Sequence, residues 1–269
     1  MDSAWFKVRK IGDATWAIDD RGSDVMYLAA GQERCLLVDT GWGVGDLPAL
    51  VASLSPLPLT VANTHGHPDH VLGNGQFARV YVHAADEAAA RELPSAETRT
   101  WMVDNVLPKP LPAGFQLDTW AVAGPGSLET IQDGRVFDLG GRALEVISVP
   151  GHTPGSICLL DRQARGLFTG DSVLPGAIWL QLDESLPLRR FHESLRRLQT
   201  FSDKFDTILP GHADLQSLPL PKDLLDDLID GIGCILAGEL VGREEKTFAG
   251  DGLRCDFGLC GIVYRPDRL

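Results

Sequence analysis

Three of the chain's seven histidines fall within six consecutive positions, together with an aspartate. The segment reads Thr64-His65-Gly66-His67-Pro68-Asp69-His70. Imidazole and carboxylate groups are ligands suited to zinc and related divalent ions. Residues two apart in an extended segment point the same way, so His65 and His67 can bind one ion. Asp69 and His70 follow Pro68, where the chain turns, and can face a second ion.

Three further candidate ligands lie in glycine-flanked turns, each after an apolar, strand-like run. They are His152 in Pro150-Gly151-His152-Thr153-Pro154-Gly155, Asp171 in Thr169-Gly170-Asp171, and His212 in Pro210-Gly211-His212. Glycine lets the backbone turn sharply and approach a crowded site. With the first cluster, these residues make five histidines and two aspartates, which is enough for two ions if one carboxylate bridges them.

Such a ligand set predicts hydrolytic chemistry. Two cations about 3.5–4 Å apart lower the pKa of a bridging water and present hydroxide at neutral pH. The hydroxide would attack a carbonyl or phosphoryl centre, and the second cation would stabilise the oxyanion or the leaving group. We expect Asp69 to accept or return a proton in this reaction.

The ligand-bearing turns need strands to position them, and the sequence predicts strands in two runs. The first run lies between Trp5 and Asp39, and the second between Glu129 and Thr169. The tail Lys246–Tyr264 is predicted to form returning strands. Helices are predicted at Leu47–Leu54, Ala84–Glu92, Leu188–Phe201 and Pro221–Leu240. Because the two halves have no clean linker between them, residues 1–269 are expected to form a single layered α/β domain.

Residues 93–126 differ from the rest, with five prolines and little periodicity. Long irregular segments in compact domains are often lids or binding loops, so we expect an irregular insertion near the active site. Trp101, Trp120 and Trp179 stand in segments interpreted as irregular and are candidates to line an apolar substrate pocket. Packing of these loops onto the domain is an equally open alternative. His192 is a further candidate for substrate contact, with an exposed helix face as the alternative.

Composition excludes several classes of partner. The net charge is −13 and no basic stripe is present, which argues against a nucleic-acid partner and against docking on an anionic membrane. No apolar run approaches the roughly 18–20 residues of a membrane span. A small-molecule substrate is the expectation that remains.

The cellular compartment is predicted from the start of the chain and from its cysteines. The first ten residues contain no apolar stretch like that of a signal peptide. Cys255 and Cys260 have no second pair of cysteines near them that could complete a metal site. Cys35 and Cys158 lie in apolar runs, where a reduced thiol is the rule. We therefore expect a cytoplasmic protein with reduced thiols. A homodimer is the default oligomeric expectation.

The motifs resemble those of the metallo-β-lactamase superfamily, in the family's order and over nearly the whole chain. The resemblance implies a four-layered αββα sandwich with the metals at one edge between two sheets. It implies that His65, His67 and His152 hold the first metal, that Asp69, His70 and His212 hold the second, and that Asp171 bridges the two. It further implies two catalytic carboxylates, Asp69 and Asp171, and two divalent ions, most simply zinc, with iron or manganese as alternatives. Asp39, in Val38-Asp39-Thr40-Gly41, matches a family position that supports the ligands from behind.

The complete ligand set resembles the glyoxalase II-like and lactonase-like branch. True β-lactamases lack the bridging aspartate and are exported. Glyoxalase II carries basic residues for glutathione in its C-terminal helical region, whereas Pro221–Leu240 offers Lys222 before its acidic helix. Homoserine-lactone hydrolases of this fold offer a tyrosine soon after the bridging aspartate, and none follows Asp171 here until Tyr264.

The sequence therefore predicts a dinuclear metal-dependent hydrolase of a small ester, lactone or thioester. Three alternatives stay open. The first is a mononuclear iron sulfur dioxygenase of the same fold, the second is a phosphodiesterase, and the third is a non-enzymatic metal-binding protein. The loops that set specificity vary within one fold, so the residues do not name the substrate.

Overall fold

The fold is described by a computed structural model covering residues 5–269. Its strands alternate with short helices along the chain. The strands are β1 (Lys7–Gly12), β2 (Thr15–Asp19), β3 (Val25–Ala30), β4 (Cys35–Val38), β5 (Leu59–Ala62), β6 (Arg79–His83), β7 (Ser127–Ile131), β8 (Val136–Asp138), β9 (Ala143–Ser148), β10 (Ile157–Asp161), β11 (Gly166–Gly170), β12 (Gly176–Leu180), β13 (Thr207–Pro210), β14 (Leu220–Pro221), β15 (Arg243–Thr247), β16 (Gly250–Phe257) and β17 (Cys260–Tyr264). The helices are α1 (Leu47–Leu54), α2 (Pro68–Val71), α3 (Glu87–Arg91), α4 (Ala96–Asn105), α5 (Leu188–Gln199) and α6 (Leu224–Leu236).

The first seven strands form one sheet in sequence order. β1 to β4 pair antiparallel through tight turns, whereas β4 to β7 pair parallel through crossovers that contain the helices. β3 is buried on both faces. Its residues alternate between a cluster shared with the second sheet, which includes Tyr27, and a cluster shared with α1, which includes Leu28. The period of two therefore presents a different partner to each face of the strand.

The second sheet has six strands in the order β14-β13-β11-β10-β9-β8. β9 and β11 both pair antiparallel to β10, and β13 pairs parallel to β11. These pairings make β9, β11 and β13 run in the same direction. Their carboxyl ends consequently lie at one edge of the sheet.

The two sheets share the main hydrophobic core, and helices cover their outer faces. Side chains of both sheets and of α5 and α6 belong to one buried cluster, and Leu47 and Val51 of α1 pack on the opposite face of the first sheet. α5 contributes its apolar stripe of Leu188, Phe191 and Leu195. The layers are therefore helix, sheet, sheet and helix, which confirms the expected αββα sandwich.

A third sheet of four strands extends the sandwich, in the order β12-β17-β16-β15. It joins the C-terminal strands to β12 from the middle of the chain, because β12 pairs parallel with β17. The prediction of returning strands over Lys246–Tyr264 is confirmed, because β16 and β17 lie in this range. β12 was missed, because a run of five residues between two loops carries little periodic signal.

Residues 93–126 are not irregular throughout, because α4 occupies ten of them. Its N-terminus is capped by Ser95, whose side chain accepts a hydrogen bond from the backbone N–H of Thr98. The helix has no apolar stripe, so the hydrophobic pattern did not reveal it. Trp101 accordingly lies in a helix and Trp179 in β12, and both assignments to irregular segments were wrong.

None of the helices in residues 5–269 combines the length and the apolar character that a membrane span requires.

Candidate metal centre

All seven predicted ligands lie in the segments that directly follow central strands. His65 and His67 come after β5, and α2 supplies Asp69 and His70. The second sheet supplies the other three from the turns after β9, β11 and β13, namely His152, Asp171 and His212. The common direction of these three strands is what brings their turns to a single edge.

The ligand atoms form three overlapping groups, and within each group the atoms lie within 4.8 Å of one another. The groups are His65, His67 and His152; His65, His70 and Asp171; and Asp69, His70 and His212. The first and third match the two ligand sets that the resemblance implied. The second group connects them.

Asp171 is the carboxylate between the two sets. Its Oδ2 lies 3.6 Å from Nε2 of His152 and 3.3 Å from Nε2 of His212. Its Oδ1 lies 3.4 Å from Nε2 of His70. A β-carbon on Gly211 would lie 2.7 Å from Asp171 Oδ1, so glycine is required where β13 ends beside the cluster. The carboxylate of Asp171 thus lies next to ligands of both sets, as a bridging ligand must.

Each of the five imidazoles has its outer nitrogen held by a neighbouring oxygen, while the other nitrogen faces the cluster. Such contacts fix the tautomer and orientation of a metal-binding histidine. The outer contacts are His65 Nδ1 to Thr64 Oγ1 at 3.1 Å, His67 Nε2 to Glu184 Oε1 at 2.9 Å, His70 Nδ1 to Asp39 Oδ2 at 3.0 Å, His152 Nδ1 to the Trp179 carbonyl at 2.7 Å, and His212 Nδ1 to the Ser23 carbonyl at 2.6 Å.

The residues fit a cation, because three of the inward atoms have no hydrogen-bond partner in the described part of the chain. Within residues 5–269, the buried atoms Nε2 of His65, Nε2 of His70 and Oδ1 of Asp171 make no hydrogen bond. A buried polar atom without a partner is costly in a folded protein. The chemistry of the set, imidazole nitrogen with carboxylate oxygen, suits a divalent metal such as zinc.

The charges of the cluster indicate the same fit. Burial lowers the pKa of His65 and lowers that of His152 to about 4, so both rings are neutral and can act as ligands. At His70 burial opposes protonation, but the carboxylates of Asp69, Asp39 and Asp171 raise its pKa to about 9. The carboxylates therefore stabilise positive charge within the cluster. In the metal-free protein bound protons provide this charge, and bound metal ions would replace those protons.

Asp39 supports the centre from behind, at the position the resemblance indicated. Besides contacting His70, its carboxylate accepts hydrogen bonds from the backbone N–H and the hydroxyl of Thr64, at 2.7 and 2.8 Å. Asp39 is 2% exposed and has a φ of 63°, a left-handed conformation that aspartate tolerates better than most residues. One carboxylate therefore positions a ligand of each set, His70 directly and His65 through Thr64.

Sequence reasoning missed a second supporting carboxylate, Asp86, which joins two ligand loops. Its oxygens accept hydrogen bonds from the backbone N–H of Gly66 at 2.9 Å and of Gly155 at 2.6 Å. The hydroxyl of Thr153 donates a third, at 2.6 Å. The loop that carries His65 and the loop that carries His152 are thereby held together. No local motif marks Asp86 as a supporting residue. Only the two glycine-rich turns that it contacts could have suggested that such a carboxylate exists.

A cavity of about 600 Å³ opens beside the cluster. Five predicted ligands line it, and so do Glu184 and an apolar wall. Of the four candidate substrate-contact residues, Trp101 and Trp179 line this cavity. The apolar wall also includes Met102, Val106, Leu174, Ile178 and Phe248. The space can thus hold a polar reacting group at one side and an apolar group at the other.

The structure does not bring Trp120 and His192 to this cavity. Trp120 is buried, its Nε1 donates to the Trp42 carbonyl at 2.7 Å, and it borders a separate cavity of about 830 Å³. His192 lies on α5, where its Nε2 donates to the Ile229 carbonyl of α6 at 3.1 Å. These contacts join neighbouring elements, so both side chains have packing partners away from the centre.

Comparison with known proteins places these observations among relatives. A family model described as the metallo-beta-lactamase superfamily matches residues 19–212. The chain is 32% identical over 230 residues to a human protein named acyl-coenzyme A thioesterase MBLAC2, covering 77% of this chain and 81% of that protein. It is 28% identical over 209 residues to an Aspergillus fumigatus protein named atrochrysone carboxyl ACP thioesterase, covering 76% of this chain and 55% of that protein.

The fold is also similar to solved structures. A metallo-beta-lactamase from Pontibacter korlensis superposes with a TM-score of 0.57 at 20% sequence identity, covering 85% of this chain and 99% of that one. At this identity the likeness concerns the fold.

Proposed function

The chain belongs to the metallo-beta-lactamase superfamily and is a hydrolase, and we propose that it cleaves small acyl thioesters at a dinuclear metal centre. The observation that carries the proposal is Asp171, whose carboxylate lies within 3.6 Å of His152 in the first ligand set and within 3.4 Å of His70 and His212 in the second. A single ion would leave part of this donor set unused. Two ions would use all seven side chains.

In this proposal His65, His67 and His152 would hold one ion, Asp69, His70 and His212 would hold the other, and Asp171 would serve both. When bound, the ions supply a water of lowered pKa and a positive charge beside the substrate carbonyl oxygen. We infer zinc, because imidazole and carboxylate donors in small, buried groups suit it. Iron and manganese remain the alternatives that metal analysis would separate.

The chain's own residues position and protonate the reacting groups. Asp69 lines the cavity, and its Oδ2 lies 3.4 Å from Nε2 of His212. We propose that it passes the proton released by the attacking water to the departing sulfur. In the overall reaction an oxygen–carbon bond forms, the carbon–sulfur bond breaks, and the thiol leaves with that proton.

The choice of thioesters rests on two supports. Relatives that cover most of the chain are named thioesterases, one of acyl-coenzyme A and one of an acyl carrier protein. The cavity supplies an apolar wall next to the cluster, which suits an acyl group. The same donor set and the two relatives favour hydrolysis over the mononuclear sulfur dioxygenase and over a role without catalysis.

We also infer a reducing compartment such as the cytoplasm. All five cysteines lie in the described part of the chain and carry free thiols. Burial raises the pKa of the Cys158 thiol and raises that of Cys260 to about 11, which keeps both unreactive.

The test combines metal analysis with a substrate panel. Protein purified without added metal or chelator is measured by elemental mass spectrometry and assayed with acyl thioesters, esters, lactones and a phosphodiester. We expect about two zinc ions per chain and the fastest turnover with thioesters. One iron per chain with oxygen uptake on persulfides, or faster turnover of the phosphodiester, would overturn the proposal.

A further inference from the structure

Three aromatic rings from separate elements meet at the mouth of the cavity. Trp101 comes from α4, Trp179 from β12, and Phe248 from the turn between β15 and β16. The Phe248 ring centroid lies 5.2 Å from that of Trp179 and 6.0 Å from that of Trp101. Phe248 therefore contacts rings from two other elements that line the cavity.

Two of these three rings are exposed to solvent. Phe248 is 70% exposed and Trp101 is 45% exposed, although both line the cavity that contains His67 and His152. Grouped exposed aromatic side chains at a concave surface are typical of a binding site, because an apolar ligand removes them from water. The arrangement thus has apolar area to bury and a cavity in which to bury it.

Trp179 connects this aromatic cluster to the metal centre. Its backbone carbonyl accepts a hydrogen bond from Nδ1 of His152 at 2.7 Å, while its ring contacts Phe248. Trp179 therefore contacts both a predicted metal ligand and the aromatic cluster. The described residues that line the cavity include no lysine or arginine, so its interior favours an apolar group over a phosphate.

Phe248 reaches the cavity on a hairpin outside the family-matched region. That region ends at residue 212, whereas β15 and β16 span Arg243–Thr247 and Gly250–Phe257. The two-residue loop is fixed by the Thr247 hydroxyl, which donates to the Gly250 carbonyl at 2.7 Å. The sequence beyond the family-matched region therefore adds a wall to the site.

Resting on the thioesterase function proposed above, we propose that Phe248 is a specificity-determining residue. With Trp101 and Trp179 it forms a subsite for the acyl group, and it favours medium-chain acyl groups such as octanoyl over acetyl. An acetyl group ends near the carbonyl carbon and leaves the aromatic rings uncovered. An octanoyl chain covers them.

The test compares acetyl, butyryl and octanoyl thioesters in the wild type and in Phe248→Ala. In Phe248→Ala we expect the KM for octanoyl thioesters to rise about tenfold, because the apolar contact between the ring and the acyl chain is lost. The kinetic constants for acetyl thioesters should stay unchanged, because an acetyl group does not reach the ring. Phe248→Leu should retain part of the preference. Leu259→Ala is the matched control, because Leu259 is 66% exposed in the turn between β16 and β17 but does not line the cavity.

Each acyl group is tested on coenzyme A and on N-acetylcysteamine, which lacks phosphates. The preference should be the same on both carriers if it resides in the acyl subsite. A chain-length profile that Phe248→Ala leaves unaltered would overturn the inference while leaving the thioesterase function in place.

A binding measurement separates the subsite from catalysis. Octanoate is titrated into metal-depleted protein, and tryptophan fluorescence reports its binding near Trp101 and Trp179. We expect Phe248→Ala to weaken octanoate binding about tenfold, with Leu259→Ala unchanged. If the wild type hydrolyses no thioester yet shows this difference, the proposed function fails and the apolar subsite stands. Equal binding by Phe248→Ala and wild type would refute the subsite.

Discussion

Oε1 of Glu184 lies 2.9 Å from Nε2 of His67, although 117 positions separate the two residues in the chain. The other nitrogen of the same ring, Nδ1, lies 2.9 Å from Nε2 of His152. The hydrogen bond from His67 lowers the pKa of Glu184 to about 2, so an ionised carboxylate faces the ring at neutral pH. The contact fixes the tautomer in which Nδ1 has a free electron pair for a cation.

We therefore expect Glu184→Ala to weaken zinc binding by about 10–100-fold, since loss of a partner behind a ligand has effects of that size. Glu184→Gln should have a smaller effect, because its amide oxygen can still accept from Nε2. Competition with a chelator of known affinity measures the change. Asp183→Ala is the control, since its carboxylate is 94% exposed and contacts Arg265. Equal zinc affinity in Glu184→Ala and wild type would show that the contact has no positioning role.

Replacing the central carboxylate should affect both ligand sets together. In Asp171→Ala the contacts to His70, His152 and His212 are lost at once. We expect the zinc content to fall below two per chain and hydrolysis to fall by at least about 100-fold, more than for a supporting residue. Elemental mass spectrometry and a steady-state assay are made on the same sample, with the exposed Asp118→Asn as control. Full activity at normal metal content would exclude the bridging role.

The ligand cluster could be predicted from sequence because its geometry is local to short motifs. Each motif pairs a strand end with a glycine turn, and the parallel course of β9, β11 and β13 then brings His152, Asp171 and His212 to one edge. The order of strands and helices predicted a layered α/β domain. The four-layered αββα arrangement and the division of the ligands into two sets came from the resemblance to the family.

The supporting residues could not be predicted in this way. Glu184 and Asp86 contact residues 117 and up to 69 positions away, and no spacing rule links them to those partners. Phe248 belongs to a hairpin whose position depends on the pairing of β12 with β17. For the same reason the sequence could not decide between a pocket role and packing for Trp120, or predict that His192 contacts the Ile229 carbonyl of α6. Long-range contacts of this kind depend on the whole fold.

Asp86 should contribute to stability as well as to the centre. It is 3% exposed and accepts three hydrogen bonds from the two ligand loops. In Asp86→Asn an NH₂ group replaces one of the carboxylate oxygens, so at least one of these buried donors loses its acceptor. We expect the free energy of unfolding to fall by about 3 kcal/mol, the range for bonds to a buried charged group. Urea unfolding of the metal-depleted protein measures it. Glu87→Gln is the matched neighbour, because its exposed carboxylate contacts Arg91, and it should lie within about 0.5 kcal/mol of wild type.

Zinc binding should release protons, because two ligands carry them in the metal-free protein. The pKa of His70 is raised to about 9 and that of His212 is raised well above its usual value, in both cases by nearby carboxylates acting against burial. Both rings are protonated at pH 7 and must lose the proton to bind a cation. His65 and His152 are already neutral, since burial lowers their pKa.

We expect at least about two protons per chain to be released when zinc saturates the metal-depleted protein at pH 7. The sign follows from these pKa values: affinity should increase as the pH rises from 6 toward 9, by up to about tenfold per unit for each proton lost. Calorimetry in two buffers of different ionisation enthalpy counts the protons. His212→Gln provides the internal comparison and should release about one proton fewer, whereas His192→Gln, outside the cluster, should match the wild type. Release of less than one proton by the wild type would mean that His70 and His212 do not both ligate the metal.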